Sequence, residues 1–66
     1  METGDIVVVV EPKTLPDYCL GRYGLVVNVF VDRICVEFIK PIGERGGRIY
    51  AIYPEEVKKV GEKTII

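Results

Sequence analysis

Short runs of β-branched residues, separated by prolines, glycines and turn dipeptides, are the feature that most constrains the fold of this chain. One run covers residues 6–10 and another covers residues 25–31. The dipeptide Asp32-Arg33 separates the second run from a third at residues 34–39, which predicts a tight hairpin. These runs are too short for ordinary helices and rich in Val and Ile, so we expect them to form strands.

The second half of the chain continues this pattern. We expect Pro41 to end the third strand, and the glycines within residues 43–47 predict a loop. Residues 48–53 alternate as a fourth strand, and residues 58–60 can form a short fifth strand. Residues 53–57 predict a 3-10 turn between them, because proline suits the first helical position and the helix dipole favours the two acids that follow.

The order of these parts predicts an all-β fold. A long first loop, a tight hairpin, a Gly-rich loop and a 3-10 turn before the last strand are the parts of a five-stranded SH3-like barrel. The 66 residues are enough for a single core, so we expect one domain over residues 1–66. Hydrophobic residues make up 48 % of the chain, which excludes intrinsic disorder.

Strand alternation assigns the side chains to two faces. In the first run, we expect Val7 and Val9 to face inward. In the third run, alternate residues form two sets that point in opposite directions. One set is Ile34, Val36 and Phe38, and the other is Cys35, Glu37 and Ile39.

Charge and missing residue types narrow the classes of function. The chain has 9 basic and 10 acidic residues and a net charge of −1, which disfavours a non-specific nucleic-acid coat protein. It has no His and no Trp, and its 2 cysteines are Cys19 and Cys35. We therefore predict no metal site and no cofactor. No acid, Thr or cysteine stands at a recognisable spacing from a catalytic base, so we expect no enzymatic activity.

The sequence shows no secretory signal and no membrane-spanning run. Its N-terminus lacks a basic region and a long apolar region, and residues 6–10 fall far short of the roughly 20 residues that span a bilayer. A cytoplasmic location is therefore predicted. In a reducing cytoplasm we expect Cys19 and Cys35 to act as small hydrophobes, and a disulfide between them is the alternative.

Four segments spread over almost the whole chain form a recognisable pattern. They are Gly4-Asp5-x-Val7-x-Val9, Gly24-x-Val26, Val36-x-Phe38 and Glu55-Glu56-Val57. Together these segments resemble the KOW motif of SH3-like barrels, and their layout is also similar to the photosystem I subunit IV barrel. This resemblance implies the barrel fold, in groups that serve in ribosomes, transcription factors, photosystems and peptide-binding adaptors.

Gly24 opens the second run directly after an irregular loop. A strand that leaves a loop against a neighbouring backbone needs either a positive φ or the absence of a Cβ, and glycine provides both. We therefore predict a structural role for Gly24.

The apolar surplus of the strands is the strongest indication of function. A single sheet buries one face, yet the outward residues of the first two strands are as apolar as the inward ones. Contiguous exposed apolar area marks a partner surface. We therefore predict a non-catalytic protein-binding module that self-associates or docks as a small subunit of a larger assembly. Its expected contact residues are Ile6, Val8, Val10 and Val27.

Two other interpretations of the surplus stay open. The first loop, with Leu15 and Leu20, and the tail, with Ile65 and Ile66, can cover the outward face of the same chain. Edge strands of an open barrel offer a second route to self-association, by strand addition between subunits.

A groove for proline-rich peptides is the second candidate site. Tyr18, Tyr53 and Pro54 occupy places comparable to those of the aromatic residues that line the groove of peptide-binding SH3 domains. In the alternative interpretation, these tyrosines half-bury their rings against the barrel and leave the hydroxyl groups in water.

The rival hypothesis is a KOW-type protein that binds RNA or DNA. Basic residues flank the glycine-rich loop and follow the 3-10 turn, and nearby tyrosines can stack on bases. Acidic residues are interspersed throughout and weaken the field that drives association, so nucleic acid is not the favoured partner. The candidate residues are Arg22, Tyr23, Arg45, Arg48 and Lys58.

Overall fold

Five strands and two 3-10 turns make up the computed structural model of the protein. It describes the backbone of residues 1–42 and 47–62 and the side chains of residues 1–39 and 48–62. The 3-10 turns cover Asp17–Cys19 and Pro54–Glu56. The strands are β1 at Asp5–Val9, β2 at Tyr23–Val29, β3 at Ile34–Ile42, β4 at Gly47–Ile52 and β5 at Val57–Glu62.

The five strands form one sheet in the order β4-β3-β2-β1-β5, and every neighbouring pair is antiparallel. Strands β1 to β4 follow one another as a meander, and β5 returns to pair with β1. The predicted all-β fold, with five strands and a 3-10 turn before the last one, is confirmed. The sheet is not closed into a barrel, because β4 and β5 are its two edges and do not pair over the described residues.

The predicted tight hairpin between the second and third strands is confirmed, but its loop is longer than the dipeptide Asp32-Arg33. The N–H of Phe30 donates to the carbonyl of Arg33 at 2.8 Å, and Val29 pairs with Ile34, so the loop has four residues, 30–33. A two-residue turn of the usual hairpin types needs a positive φ, and no non-glycine residue of the described chain adopts one. Part of the expected strand therefore becomes loop.

The third strand runs further than predicted. Pro41 was expected to end it, but β3 continues to Ile42. Position 41 lies beyond Phe38, the last β3 residue paired with β2, and the β3–β4 register shifts between Glu37 and Ile42. Proline is tolerated there because no regular ladder requires its missing N–H. The predicted loop at residues 43–47 falls outside the described residues except for Gly47.

Alternate residues of the strands build the core, as predicted. Val7 and Val9 face inward, and one full set of β3 side chains is buried with them. Two residues of the first loop also enter the core, Leu15 and Cys19. The buried core residues are Val7, Val9, Leu15, Cys19, Val26, Ile34, Val36, Phe38, Ile52 and Val57.

A buried carboxylate, Glu56, fixes the first loop against the second 3-10 turn. Its Oε1 accepts the N–H groups of Lys13 and Thr14 at 2.6 Å and that of Leu15 at 3.2 Å. Its Oε2 accepts the Thr14 hydroxyl at 2.7 Å and the Tyr53 N–H at 2.8 Å. A charge without solvent is costly unless it is hydrogen-bonded, and here five donors replace water.

The backbone of the same residue holds the end of β1. The carbonyl of Glu56 accepts the N–H groups of Val10 at 2.9 Å and Glu11 at 3.1 Å. The residues that follow β1, the first loop and the 3-10 turn therefore all meet at Glu56.

These donors also determine the acidity of Glu56. Burial alone raises the pKa of this carboxyl, but the Thr14 hydroxyl and the N–H groups of Lys13, Tyr53 and Leu15 outweigh burial. The pKa falls from its ordinary value of 4.5 to about 2. A group whose pKa is lower in the folded state stabilises the fold above its unfolded pKa, and this contribution disappears as the pH falls through the folded pKa.

We expect Glu56→Gln to lower the free energy of unfolding at pH 7 by about 2–4 kcal/mol, because the new amide presents a donor where the carboxylate accepted several. The variant should also lose much of the decline in stability that the native protein shows from about pH 5 to pH 2. Urea denaturation at a series of pH values measures both effects. The matched control is Glu55→Gln, a change at the exposed neighbour. A Glu56→Gln protein with native stability and a native pH profile would contradict this role.

Candidate functional site

The sheet has an outer face, opposite the core, on which a row of side chains crosses four strands. Ile6 of β1 pairs with Leu25 of β2, Leu25 pairs with Glu37 of β3, and Glu37 pairs with Ile49 of β4. Residues directly opposite each other in antiparallel strands point to the same side of a sheet. Three of the four members of this row are therefore apolar residues that face away from the core.

A depression of about 340 Å³ lies on the outer face. Most of its lining is apolar, and Glu37 and Arg48 bring one charge of each sign to it. Ile39 is 72 % exposed and Tyr23 is 52 % exposed, both at the depression, and Ile49 beside it is 60 % exposed. The lining residues are Ile6, Tyr23, Gly24, Leu25, Glu37, Phe38, Ile39 and Arg48.

Gly24 is required in the wall of this depression, as predicted. A Cβ at this position would overlap Cγ1 of Val36 and lie 3.2 Å from the carbonyl oxygen of Glu37 and from Cδ1 of Phe38. Among the described glycines, Gly4 and Gly21 have a positive φ, whereas Gly24 does not. The close approach of β2 to β3, and not an unusual backbone conformation, therefore explains this glycine.

The four predicted contact residues do not share one environment. Ile6 and Val8 alternate with core residues on the outer face and are half-buried. Val27 is half-buried too, at the point where the β2–β3 register shifts. Val10 lies beyond the end of β1, where its N–H binds the carbonyl of Glu56 and its side chain is 46 % exposed.

The most exposed apolar residues of the outer face are not among the predicted apolar contacts; they are Tyr23, Ile39 and Ile49. Ile39 directly follows the inward residue Phe38, so strand alternation already indicated that Ile39 faces outward. The predicted contact was placed on the first two strands instead, because they are the most apolar. Those strands are central in the sheet, where neighbours on both sides half-cover their outward residues, whereas β4 is an edge.

The segments expected to cover the outer face have different positions. Leu15 is buried in the core, and Leu20 is 61 % exposed. Ile65 and Ile66 lie outside the described residues. Over the part of the chain that is described, the first loop therefore closes the core and leaves Tyr23 and Ile39 exposed on the outer face.

The two tyrosines of the predicted groove each contact an arginine of the same chain. The Arg22 guanidinium lies 5.3 Å from the centre of the exposed Tyr18 ring. That of Arg33 lies 4.9 Å from the centre of the half-buried Tyr53 ring and donates to its hydroxyl at 3.1 Å. Pro54 begins the second 3-10 turn and is half-buried. A proline-rich peptide stacking on Tyr53 would compete with Arg33 for the ring.

The candidate nucleic-acid residues are brought partly together. Tyr23 and Arg48 line the depression, and Arg22 lines a second hollow that shares Tyr23 with it. Lys58 of β5 is exposed and pairs with Val8, which pairs in turn with Tyr23. The side chain of Arg45 lies outside the described residues. One exposed aromatic ring with cations around it is therefore present on the outer face.

The two cysteines are free thiols. Cys19 is buried in the core, which confirms its predicted role as a small hydrophobe, and burial raises the pKa of its thiol. Cys35 is half-buried on β3 and pairs with Ala51. The alternative of a disulfide between them is not realised.

Residues 1–42 and 47–62 contain neither a cluster of metal ligands nor a helix that could span a membrane. No group of three or more His, Cys, Asp or Glu side chains in these ranges is placed to hold a metal ion. No helix in them is long and apolar enough to cross a membrane.

No protein-family model, curated protein or solved structure matches the chain. The resemblance to KOW and photosystem I subunit IV barrels therefore stays a hypothesis.

Proposed function

We propose that the chain is a non-catalytic protein-binding module that docks through its outer face. The observation that supports this most is the exposure of Ile39 and Ile49 on that face, beside the apolar depression. Each exposed aliphatic side chain leaves roughly 1.5–3 kcal/mol of burial unrealised. A partner that covers these residues gains this free energy, which is why contiguous apolar patches mark interaction sites.

The shape and charge of the face suit a partner with a protruding apolar side chain. The depression of about 340 Å³ is at the small end of the range for ligand pockets. Glu37 and Arg48 line it, and neither forms an ion pair within the described residues. Charges of opposite sign at the border of an apolar contact orient a partner more than they strengthen binding. We therefore expect an apolar contact with polar residues around it.

The unusual ionisable groups of the described chain support a role without catalysis. The Glu2 N–H lowers the pKa of the buried Asp5 carboxyl, and the nearby Lys59 ammonium adds to this against the effect of burial. Glu56 is fully occupied by hydrogen bonds from the first loop and the 3-10 turn. Both perturbed carboxylates are thus explained by structural contacts, and the Cys19 thiol with raised pKa is enclosed in the core.

We expect Ile39→Lys to weaken partner binding at least tenfold, because it removes an apolar contact worth more than about 1.4 kcal/mol and introduces a charge at the interface. The tagged chain is purified from its source cells together with the partners that it retains. Native mass spectrometry then quantifies these complexes and the complexes of the chain with itself. Leu20→Lys is the matched control, since Leu20 is similarly exposed but lies on the first loop. Both variants should melt within a few degrees of the native protein, as surface substitutions do. Equal binding by all three proteins, or equal loss in both variants, would overturn the proposal.

A second candidate function, the binding of single-stranded nucleic acid, is favoured by one observation. Tyr23 is exposed on the outer face, where Arg48 lines the same depression and Arg22 lines the adjoining hollow. Aromatic rings with neighbouring cations are the usual platform for unpaired bases. Glu37 lies in the same depression, and the net charge of −1 provides no long-range attraction for phosphate.

A titration with fluorescent single-stranded RNA at 50 and 200 mM salt separates the two candidates, because phosphate contacts make nucleic-acid affinity fall with salt. We expect no salt-sensitive binding. Affinity that falls steeply with salt and is lost in Tyr23→Ala, but kept in Tyr18→Ala, would instead identify the outer face as a nucleic-acid surface.

A further inference from the structure

The two edges of the sheet differ in how they resist pairing with another strand. On β5, Lys58 and Lys59 are both exposed, and Lys59 contacts Asp5 at 3.4 Å and Glu62 at 2.6 Å. The β1–β5 register also shifts between Ile6 and Val7. Lysines and bulges are the devices by which natural edge strands avoid pairing with other molecules.

The described side chains of β4 contain fewer such devices. Arg48 is the one charged residue of positions 48–52, at one end of the strand. Ile49 and Ala51 are exposed on the outer face, and Ile52 is buried in the core. Among the described residues, β4 pairs with β3 alone, and its other side presents backbone N–H and C=O groups that no described strand binds.

We infer that the chain pairs with a second copy of itself along β4, in an antiparallel pair about a two-fold axis. The inference goes beyond the proposed function, because a strand added at this edge leaves Ile39 and the depression free for another partner. Such a pair would extend the five strands into one ten-stranded sheet and place the two outer faces side by side. Closed two-fold pairs are the commonest assembly of identical chains.

Strand geometry limits the register of this pair. Residues opposite each other across antiparallel strands share a face, so Ile49 must meet an outer-face residue of the other copy. Within Gly47–Ile52 a two-fold axis then places Ile49 opposite Gly47, Ile49 or Ala51 of the second copy. The first register sets Arg48 opposite its own copy, which is unfavourable. In the other two registers the aliphatic side chain that is 60 % exposed in one chain packs against another apolar one.

The charges permit β4 as the shared edge. In the two apolar registers, Arg48 lies opposite Tyr50 or Ile52 of the second copy, so no like charges face each other. On β5, the lysines and the register shift with β1 are the features that oppose pairing. The net charge of −1 leaves little overall repulsion between two chains.

The area argues for a reversible dimer. A stable interface buries about 800 Å² on each partner, which is roughly a sixth of the 4621 Å² surface of this chain. A six-residue strand is only about 20 Å long, so pairing through β4 with the flanking Ile49 contact buries less than this. We therefore expect a dissociation constant in the micromolar range or weaker, and association has to be measured at high concentration.

Sedimentation equilibrium tests the inference on three proteins: the native chain, Ile49→Lys and Val60→Lys. Concentrations from about 10 µM to about 1 mM bracket the dissociation constant expected for a weak dimer. We expect a monomer–dimer equilibrium in the native chain and at least a tenfold higher dissociation constant in Ile49→Lys. Val60→Lys is the matched control, because Val60 is half-exposed on the other edge strand. It should dimerise like the native chain. Circular dichroism confirms that both variants are folded.

Amide hydrogen exchange at the two ends of this concentration range locates the contact. Amides of β4 that point away from β3 should exchange more slowly at high concentration, while the outer amides of β5 should not change. Protection on β5, dimerisation unaffected by Ile49→Lys, or growth beyond a dimer would each overturn the inference. A monomer at every concentration would overturn it too, and the proposed function would still stand if Ile39→Lys alone lost a captured partner.

Discussion

The buried carboxylate of Glu56 is the interaction on which the rest of the structure depends. It receives five hydrogen bonds from the first loop and from the N–H that begins the second 3-10 turn, while its own carbonyl holds the residues after β1. With these bonds formed, Leu15 and Cys19 are held in the core, and β5 leaves the turn alongside β1. A neutral side chain of the same shape cannot satisfy the same donors.

The way this loop is held leaves the outer face exposed. Because the loop is fixed at the turn and contributes its apolar residues to the core, it does not shield Ile39 or Tyr23. The central strands half-cover one another's outward residues, but over the described residues β4 has a neighbour on one side only. Ile49 on this strand and Ile39 on the adjoining β3 therefore stay exposed on the outer face, where a partner can contact both backbone and side chains.

Much of the fold could be predicted from the sequence, because alternation and turn residues are local signals. They identified the five strands, the 3-10 turn and the inward positions of Val7 and Val9. The hairpin was identified too, but its loop begins two residues earlier than expected, because φ restrictions on Asp32 and Arg33 outweigh the spacing of the apolar runs. The role of Glu56 depends on donors more than 40 positions away, and that of Ile49 depends on the order of strands. Neither is visible in a local pattern.

The account as a whole requires that one isolated chain leaves Ile39 and Ile49 in contact with water. Methyl NMR spectra of dilute protein with an inert soluble paramagnetic agent measure this directly, because the agent broadens only signals that it can approach. We expect strong broadening of the Ile39 and Ile49 methyl signals and almost none for Val7 and Val26, which are fully buried. Ile39 and Ile49 signals as protected as that of Val7 would show that the chain covers its own outer face and would contradict the account.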